Sequence, residues 1–186
     1  MPRWLFYCLL AIAMWGGWGL LGKLTKLNEW QMTALSTLGV VAVAVLLLFS
    51  PRLREGTNLR RGMAFAFVTG LFGNGGNLTL LKALRVGEAS LVAPYTALYP
   101  IVTVILARMV LRERMNAVQA VGFVLAIVAA GLFSWLGGGG MTQGFVVGSW
   151  MIWATVTVLC FGIAAVTQKI ATNHISNELS LVCFAA

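Results

Sequence analysis

The stretch that most constrains the fold is residues 93–113, which read APYTALYPIVTVILARMVLRE. It is long and apolar enough to cross a bilayer, which takes about 20 residues. It also contains Pro94 and Pro100, and a proline in a helix lacks an N–H and displaces the carbonyl one turn earlier. The carbonyls of Ser90 and Thr96 would be freed, and in hydrocarbon each would need a hydroxyl, water or a neighbouring helix. The stretch therefore predicts a kinked membrane helix inside a bundle.

Polar side chains in this stretch recur at helical spacing. Tyr95, Tyr99 and Thr103 are four residues apart and share one face, with Thr96 beside it. Two interpretations stay open at this point. The face lines a polar cavity, or the helix is a kinked packing element whose threonine hydroxyls satisfy its own backbone.

Hydrophobic residues make up 60% of the 186-residue chain and charged residues only 10%, against about a quarter charged in soluble domains. We therefore predict an all-α integral membrane protein, a multi-span helix bundle whose partner is the lipid bilayer. The net charge of +8 does not indicate nucleic-acid binding, because the basic residues lie in short loops between apolar runs. Six runs are long enough to span, at residues 4–22, 30–49, 62–81, 93–113, 117–135 and 150–170, and a seventh begins near residue 178.

The residues needed for catalysis or metal binding at membrane depth are scarce. The chain has no aspartate, one histidine (His174) and three cysteines without metal-ligand spacing. All five glutamates fall at or outside the ends of the apolar runs. The sequence therefore does not indicate proton coupling through a carboxylate within the bundle. We predict no enzyme, no cofactor and no metal site.

The positively charged residues predict the orientation. With the N-terminus in the cytoplasm, nine face inward and four face outward, which satisfies the positive-inside rule. The inward set is Arg3, Arg52, Arg54, Arg60, Arg61, Arg108, Arg112, Arg114 and Lys169; the outward set is Lys23, Lys26, Lys82 and Arg85.

The sixth apolar run looks like a second copy of the first. Placing residue 150 over residue 4 without gaps aligns three identical pairs, Trp4 with Trp150, Gly16 with Gly162, and Lys23 with Lys169. Five helices separate equivalent points, so the second copy enters from the opposite side, as in the inverted repeats of secondary transporters. We predict a first five-helix repeat over residues 1–136, a glycine-rich linker over 137–148, and the start of a second, inverted repeat over 149–186.

The seventh run stops at Ala186 after eight or nine residues, which cannot cross a bilayer. A complete second repeat would give ten helices, so we expect this sequence to be part of a longer one. The alternative is a short half-transporter that works as a dimer.

Residues 87–134 resemble the end of a repeat of the EamA family in the drug/metabolite transporter superfamily. The matching features are Ala93-Pro94, the second proline at Pro100, Glu113 at the inner end of the fourth helix, and Gln119 with Gly122 opening the fifth. The Trp15-Gly16 pair resembles the family's first helix. The resemblance implies ten helices in two inverted repeats and a multi-pass permease of the cytoplasmic (inner) membrane. It also implies alternating access and transport, usually export, of small metabolites or drugs.

The resemblance does not fix a substrate. The competing hypothesis is a non-transporting membrane fragment, or a half-transporter that needs a homodimer partner or a missing second repeat. Cavity walls are mostly apolar and aromatic with a few polar groups, which selects the candidate substrate-cavity residues. They are Tyr95, Thr96, Tyr99, Thr103, Asn74, Asn77, Trp15 and Trp18, with Pro94 and Pro100 as helix kinks and Thr167 and Gln168 as weaker candidates.

For several of these residues a structural role is the alternative. Asn74 can form an interhelical hydrogen bond that only holds the bundle, and a deep tryptophan such as Trp15 or Trp18 can simply pack. Glu113 is expected to pair with the arginines around it rather than to act in transport.

Overall fold

The computed structural model of the protein describes residues 3–111, 116–137 and 148–186. These residues are helical, and their one pairing of extended backbone is an isolated bridge between Gly56 and Ile175. The predicted all-α, multi-span helix bundle is confirmed. The helices are α1 (Arg3–Leu24), α2 (Glu29–Leu47), α3 (Leu59–Val86), α4 (Ala89–Thr96), α5 (Tyr99–Leu106), α6 (Ala117–Gly137), α7 (Ser149–Thr172) and α8 (Asn177–Ala185), with a short 3-10 helix at Pro51–Arg54 and a π-helical turn at Ala107–Leu111.

Four segments in the described part are long and apolar enough to cross a membrane: Leu5–Gly22, Glu29–Leu47, Ala89–Leu111 and Ser149–Thr172. Helix α3 is not among them, although its 28 residues extend about 42 Å. Its hydropathy is lower because it contains asparagines, threonines and glycines. Such residues suit the interior of a bundle, where α3 packs on α7, α8, α2 and α1. The third predicted span is therefore longer and more polar than a lipid-facing helix.

A capping box formed by Asn28 and Gln31, three residues apart, begins α2. The Asn28 side chain accepts a hydrogen bond from the Gln31 N–H at 2.8 Å, and the Gln31 side chain accepts one from the Asn28 N–H at 2.9 Å. At α6, the Gln119 side chain accepts from the Asn116 N–H at 2.9 Å, which is one half of the same motif.

Helices α3 and α7 form the centre of the bundle and run antiparallel. Two pairs of threonine hydroxyls join them at 2.8 Å each, Thr79 with Thr157 and Thr69 with Thr167. Thr79 lies ten residues after Thr69 on α3, whereas its partner Thr157 lies ten residues before Thr167 on α7. The two helices are therefore antiparallel. Each pair is a hydrogen bond between two helices, as polar side chains form in membrane bundles.

Small residues on α3 allow neighbouring elements to pack closely against it. A Cβ at Gly73 would lie 2.8 Å from the Phe184 ring, and one at Gly76 would lie 2.6 Å from the Phe161 ring. A Cβ at Gly70 would meet the backbone of Phe184. Gly75 differs, because nothing lies within 4 Å of the position of its Cβ.

Helix α1 runs parallel to α3, so α7 enters from the side opposite to α1. A Cβ at Gly22 would meet Leu81, and one ring, that of Phe161, contacts both Trp15 on α1 and the Gly76 position on α3. The later residue of α1 therefore meets the later residue of α3, as in parallel helices. The inverted-repeat hypothesis requires this opposite direction of α1 and α7, and the division of the chain into repeats stays a prediction.

The loops at one end of α3 and α7 clasp each other. The Ser176 N–H donates to the Glu55 carbonyl and the Thr57 N–H donates to the His174 carbonyl, both at 2.9 Å, around the bridge between Gly56 and Ile175. This pairing fixes the connection between α2 and α3 against the connection between α7 and α8. We refer to it as the loop clasp.

The fourth predicted span is interrupted rather than simply kinked. Helix α4 ends at Thr96, a turn follows at Ala97 and Leu98, and α5 starts at Tyr99 with Pro100 in its first turn. Pro100 therefore begins a helix, where its missing N–H costs least. Helix α5 continues as the π-helical turn at Ala107–Leu111, and Glu113 lies outside the described residues.

Candidate functional site

The aromatic ring of Phe161 on α7 is the point at which four helices meet. Its centroid lies 6.0 Å from that of Trp15 on α1 and 5.8 Å from that of Tyr99 on α5, both edge-on. On α3, Gly76 leaves the space that the ring occupies. Such edge-to-face pairs contribute about 0.5–1.5 kcal/mol each beyond the area they bury. We call Phe161, Trp15, Tyr99 and Trp18 the aromatic cluster.

Trp18 joins this cluster from one turn further along α1. Its ring centroid lies 5.7 Å from that of Trp15, and it packs against the buried core around Leu80 and Leu84. Trp15 is 55% exposed, whereas Trp18 is partly buried. The two tryptophans therefore differ, because Trp18 packs into the core and Trp15 presents an open face.

Tyr95 and Tyr99 both face α7, as their shared helical face predicts. The Tyr95 hydroxyl hydrogen-bonds that of Thr155 at 3.0 Å, and its ring lies edge-on to Trp150 with centroids 5.9 Å apart. Tyr99 contacts Phe161 and is 37% exposed. The pair thus lines the contact between the interrupted span and α7.

The two threonines of the same stretch bond to their own helices. The hydroxyl of Thr96, 6% exposed, donates to the Val92 carbonyl at 2.9 Å and lies 3.1 Å from that of Ala93. The Thr103 hydroxyl donates to the Tyr99 carbonyl at 3.1 Å. The structure therefore divides the predicted polar face: the tyrosines reach a neighbouring helix, while the threonines satisfy backbone carbonyls next to the prolines.

The two asparagines of α3 differ in their partners. Asn74 faces α2, where its Oδ1 accepts a hydrogen bond from the Thr37 hydroxyl at 3.5 Å. Asn77 follows three residues later, and its Oδ1 is buried without a hydrogen-bond partner in the described part of the chain. Asn77 precedes Leu81 by one turn, on the face that meets α1 at Gly22. Helical spacing therefore directs Asn77 towards α1, whereas Asn74 contacts α2.

Asn74 instead borders a cavity of about 380 Å³ between α2, α3 and α8. Thr33 also lines it and carries a buried hydroxyl without a partner among the described residues. The other lining residues are Trp30, Thr37, Phe67, Gly70, Leu71, Gly75, Leu78, Phe184, Ala185 and Ala186. The predicted site residues thus lie in two places rather than in one.

Sequence reasoning missed Phe161 as a site residue, although its position over Trp15 in the repeat alignment carried a signal. It also missed the contact of Lys82 with Trp153, whose ring centroid lies 3.8 Å from the lysine Nζ. A cation over a tryptophan face is stabilised by the ring quadrupole, so a half-buried lysine is accommodated one turn inside the helix end. Thr167, a weaker candidate, is used in its pair with Thr69, and the Gln168 side chain accepts from Ser180 at 3.3 Å.

The four side chains of the aromatic cluster and Asn77 carry no charge. The ion pair resolved in the described residues joins Arg85 to Glu29 at 3.5 Å, at the ends of α3 and α2. No group of three or more metal-ligating side chains occurs in these residues. The aromatic cluster and Asn77 therefore offer stacking, apolar contact and a hydrogen-bond acceptor rather than acid–base or metal chemistry.

Comparison with protein families identifies the chain. The model of the EamA-like transporter family matches residues 2–135, which hold α1 to α5 and nearly all of α6. The chain belongs to this family. No curated protein and no solved structure matches the chain.

Membership of the EamA family makes this a multi-pass membrane protein of the drug/metabolite transporter superfamily, a family of transporters rather than enzymes. The family match ends before α7, which supplies Phe161, Thr157 and Thr167. The four-helix meeting point therefore combines α1, α3 and α5 from the matched region with a helix that follows it.

Proposed function

We propose that the chain is the first repeat and the start of the second of a carrier that exports small organic molecules by alternating access across the cytoplasmic membrane. The aromatic cluster, with Asn77 beside it, forms one side of the substrate cavity. Tyr95, on the same side of the interrupted span, borders it.

The observation that carries this proposal is the meeting of four helices at Phe161. Helix α7 runs opposite to α1 and α3, and sites in carriers built of inverted repeats lie between oppositely directed halves. The span that provides Tyr99 is interrupted at Ala97 and Leu98. Broken helices are tolerated at membrane depth where they are buried in protein or line a cavity.

The chemistry of the site favours substrates with an apolar or aromatic part and a hydrogen-bond donor. The rings of Trp15 and Tyr99 offer stacking surfaces, and the unpartnered Oδ1 of Asn77 accepts a hydrogen bond. A buried acceptor left without a partner costs about 1–3 kcal/mol, so a ligand donor there recovers energy.

The N-terminus is proposed to be cytoplasmic. The positively charged residues favour this orientation nine to four. The loop clasp, which carries arginines on the connection to α3, then lies in the cytoplasm, and the ion pair between Arg85 and Glu29 lies outside.

Asn77 and Asn74 provide a matched pair of variants. We expect Asn77→Leu to lower transport by about tenfold or more while leaving the free energy of unfolding unchanged or raising it by about 1 kcal/mol, because it removes an unpaired buried acceptor. We expect Asn74→Leu to lower that free energy by about 0.5–1 kcal/mol through its lost bond to Thr37, with a smaller effect on transport. Transport in vesicles and unfolding in mixed micelles measure the two quantities. A loss of transport with Asn74→Leu and none with Asn77→Leu would place the substrate on the α2 side instead.

Reconstitution tests transport itself. The chain, alone and extended by any continuation of its reading frame, is placed in lipid vesicles loaded with labelled amino acids, nucleosides or amphipathic amines. We expect release of at least one class to depend on the protein and to saturate with concentration. If the extended protein releases none of these classes of compound, the carrier function is contradicted.

A half-transporter that needs a partner is the second candidate. The exposure of Trp15 (55%) and Tyr99 (37%) favours it, because these rings leave the aromatic cluster open on one side. A second copy or a second repeat would close that side. The mass of the reconstituted protein, measured with and without the continuation, distinguishes a dimer from a monomer.

A further inference from the structure

A second charged feature lies away from the aromatic cluster, at the end of the bundle that holds the loop clasp. Four arginines fall within ten residues, two in the 3-10 helix and two in the first turn of α3, and all are exposed. We call them the arginine patch: Arg52, Arg54, Arg60 and Arg61.

The described part of the chain supplies little negative charge to this patch. Glu55 and Glu178 are the acidic residues at this end of the described chain, and neither forms an ion pair with a patch arginine there. The first turn of α3 contains no acidic residue, although a helix N-terminus favours negative charge. One contact of a patch side chain is the Arg61 guanidinium over the Phe65 ring, at 5.9 Å. Within the described residues, the patch thus holds four positive charges without an ion-pair partner.

The patch is held in place by the surrounding structure. The Ser50 side chain accepts from the Arg52 N–H at 3.4 Å, and Pro51 starts the 3-10 helix. At the other end of the 3-10 helix, the Ser176 N–H donates to the Glu55 carbonyl in the loop clasp. Leu53 is half-buried, so Arg52 and Arg54 lie to either side of it and face outward. The arginines are therefore presented on an ordered segment.

The depth of the patch is set by the membrane helices that flank it. The apolar span of α2 ends at Leu47, and α3 begins at Leu59, so the intervening residues lie at the membrane surface. Phe49, 84% exposed, sits directly before the patch and can rest in the acyl chains. We therefore expect the guanidinium groups to lie at the level of the lipid phosphates.

We propose that the arginine patch binds the headgroups of anionic phospholipids in the leaflet on that side, the cytoplasmic leaflet in the orientation above. Guanidinium groups match phosphate oxygens with two parallel hydrogen bonds, and each basic residue near an anionic surface strengthens binding about fivefold. This site is separate from the aromatic cluster and does not depend on transport.

Bound lipid also has a structural consequence. The patch and the loop clasp share one segment, since Arg54 is followed directly by Glu55, whose carbonyl binds the Ser176 N–H. A lipid held by Arg52 and Arg54 therefore stabilises the contact between the α2–α3 connection and the α7–α8 connection.

The test compares lipids retained by the purified full chain in micelles containing equal amounts of phosphatidylglycerol and phosphatidylcholine, counted by native mass spectrometry. We expect a preference for phosphatidylglycerol of about tenfold or more. Arg54→Gln should lower it about fivefold, and R52Q/R54Q/R60Q should abolish it. Lys26→Gln removes one exposed charge at the opposite end of α1 and is the matched control, with no change expected.

Two further arms separate the sources of the effect. R52K/R54K/R60K keeps the charges and should keep most of the preference. If R52Q/R54Q/R60Q fails to fold, the roughly fivefold loss in Arg54→Gln carries the test. Added inorganic phosphate should not displace phosphatidylglycerol, because a lipid is held by its acyl chains as well. Three results would each overturn the proposal. They are an equal loss of the phosphatidylglycerol preference in Arg54→Gln and Lys26→Gln, an unchanged preference in R52Q/R54Q/R60Q, and full displacement of the lipid by inorganic phosphate.

Discussion

Replacing Gly76 with alanine is expected to destabilise the protein by about 1–3 kcal/mol relative to replacing Gly75 with alanine. The added methyl of Gly76→Ala would lie 2.6 Å from two ring carbons of Phe161 and 3.3 Å from the Cys160 Cβ. A shift of the ring would also disturb its edge-on contacts with Trp15 and Tyr99. Unfolding in mixed micelles, followed by the loss of helical signal, measures the difference.

Gly75→Ala is the control because it makes the same chemical change one residue away. Nothing lies within 4 Å of its Cβ position, so the gain in helix propensity of about 1 kcal/mol appears there without a clash. Both residues lie within α3, so this gain cancels in the comparison. Equal stability of the two variants would mean that α3 and α7 do not pack at Gly76 in the folded protein. Gly76→Ala should also reduce transport if the aromatic cluster borders the substrate.

Replacing Pro100 with alanine is expected to reduce transport by about tenfold or more while membrane insertion stays intact. Alanine supplies the N–H that can bond the Thr96 carbonyl and removes a helix penalty of about 3 kcal/mol. The equilibrium then shifts about a hundredfold towards one continuous helix through Ala97 and Leu98. Tyr99 would rotate away from Phe161 as the turn between α4 and α5 is lost. Efflux from vesicles measures transport, and protease protection of the loops measures insertion.

Phe161→Leu distinguishes loss of the interruption from loss of the ring contact. It keeps Pro100 and removes the ring that Tyr99 meets, so it should reduce transport without adding helical structure. Unchanged transport in Pro100→Ala, together with a measured gain of helix, would show that the interruption takes no part in the mechanism.

Local sequence patterns determined much of this protein. Runs of about 20 apolar residues define the membrane spans because hydrocarbon admits few other structures, and a hydrogen-bonding pair at three-residue spacing defines the start of α2. Glycine at positions 70, 73 and 76 of α3 leaves room for the close packing that the structure shows there. The prolines indicated a disturbed span, although the break precedes Pro100 rather than bending the helix around it. The family, too, could be identified from motifs and their spacing, and the match over residues 2–135 confirms it.

Only the tertiary structure decided which helix each of these residues faces. Helical spacing placed Tyr95, Tyr99, Thr96 and Thr103 together, yet the tyrosines contact α7 and the threonines bond their own backbone. Asn74 and Asn77 are alike in sequence, but one has Thr37 as a partner and the other has none in the described chain. The physical reason is that nearly all side chains here are apolar, so a sequence pattern fixes which face of a helix is buried without specifying its neighbour. The partner is chosen by shape, as at Gly76, where the space left by a missing side chain is filled by Phe161 from 85 residues further along the chain.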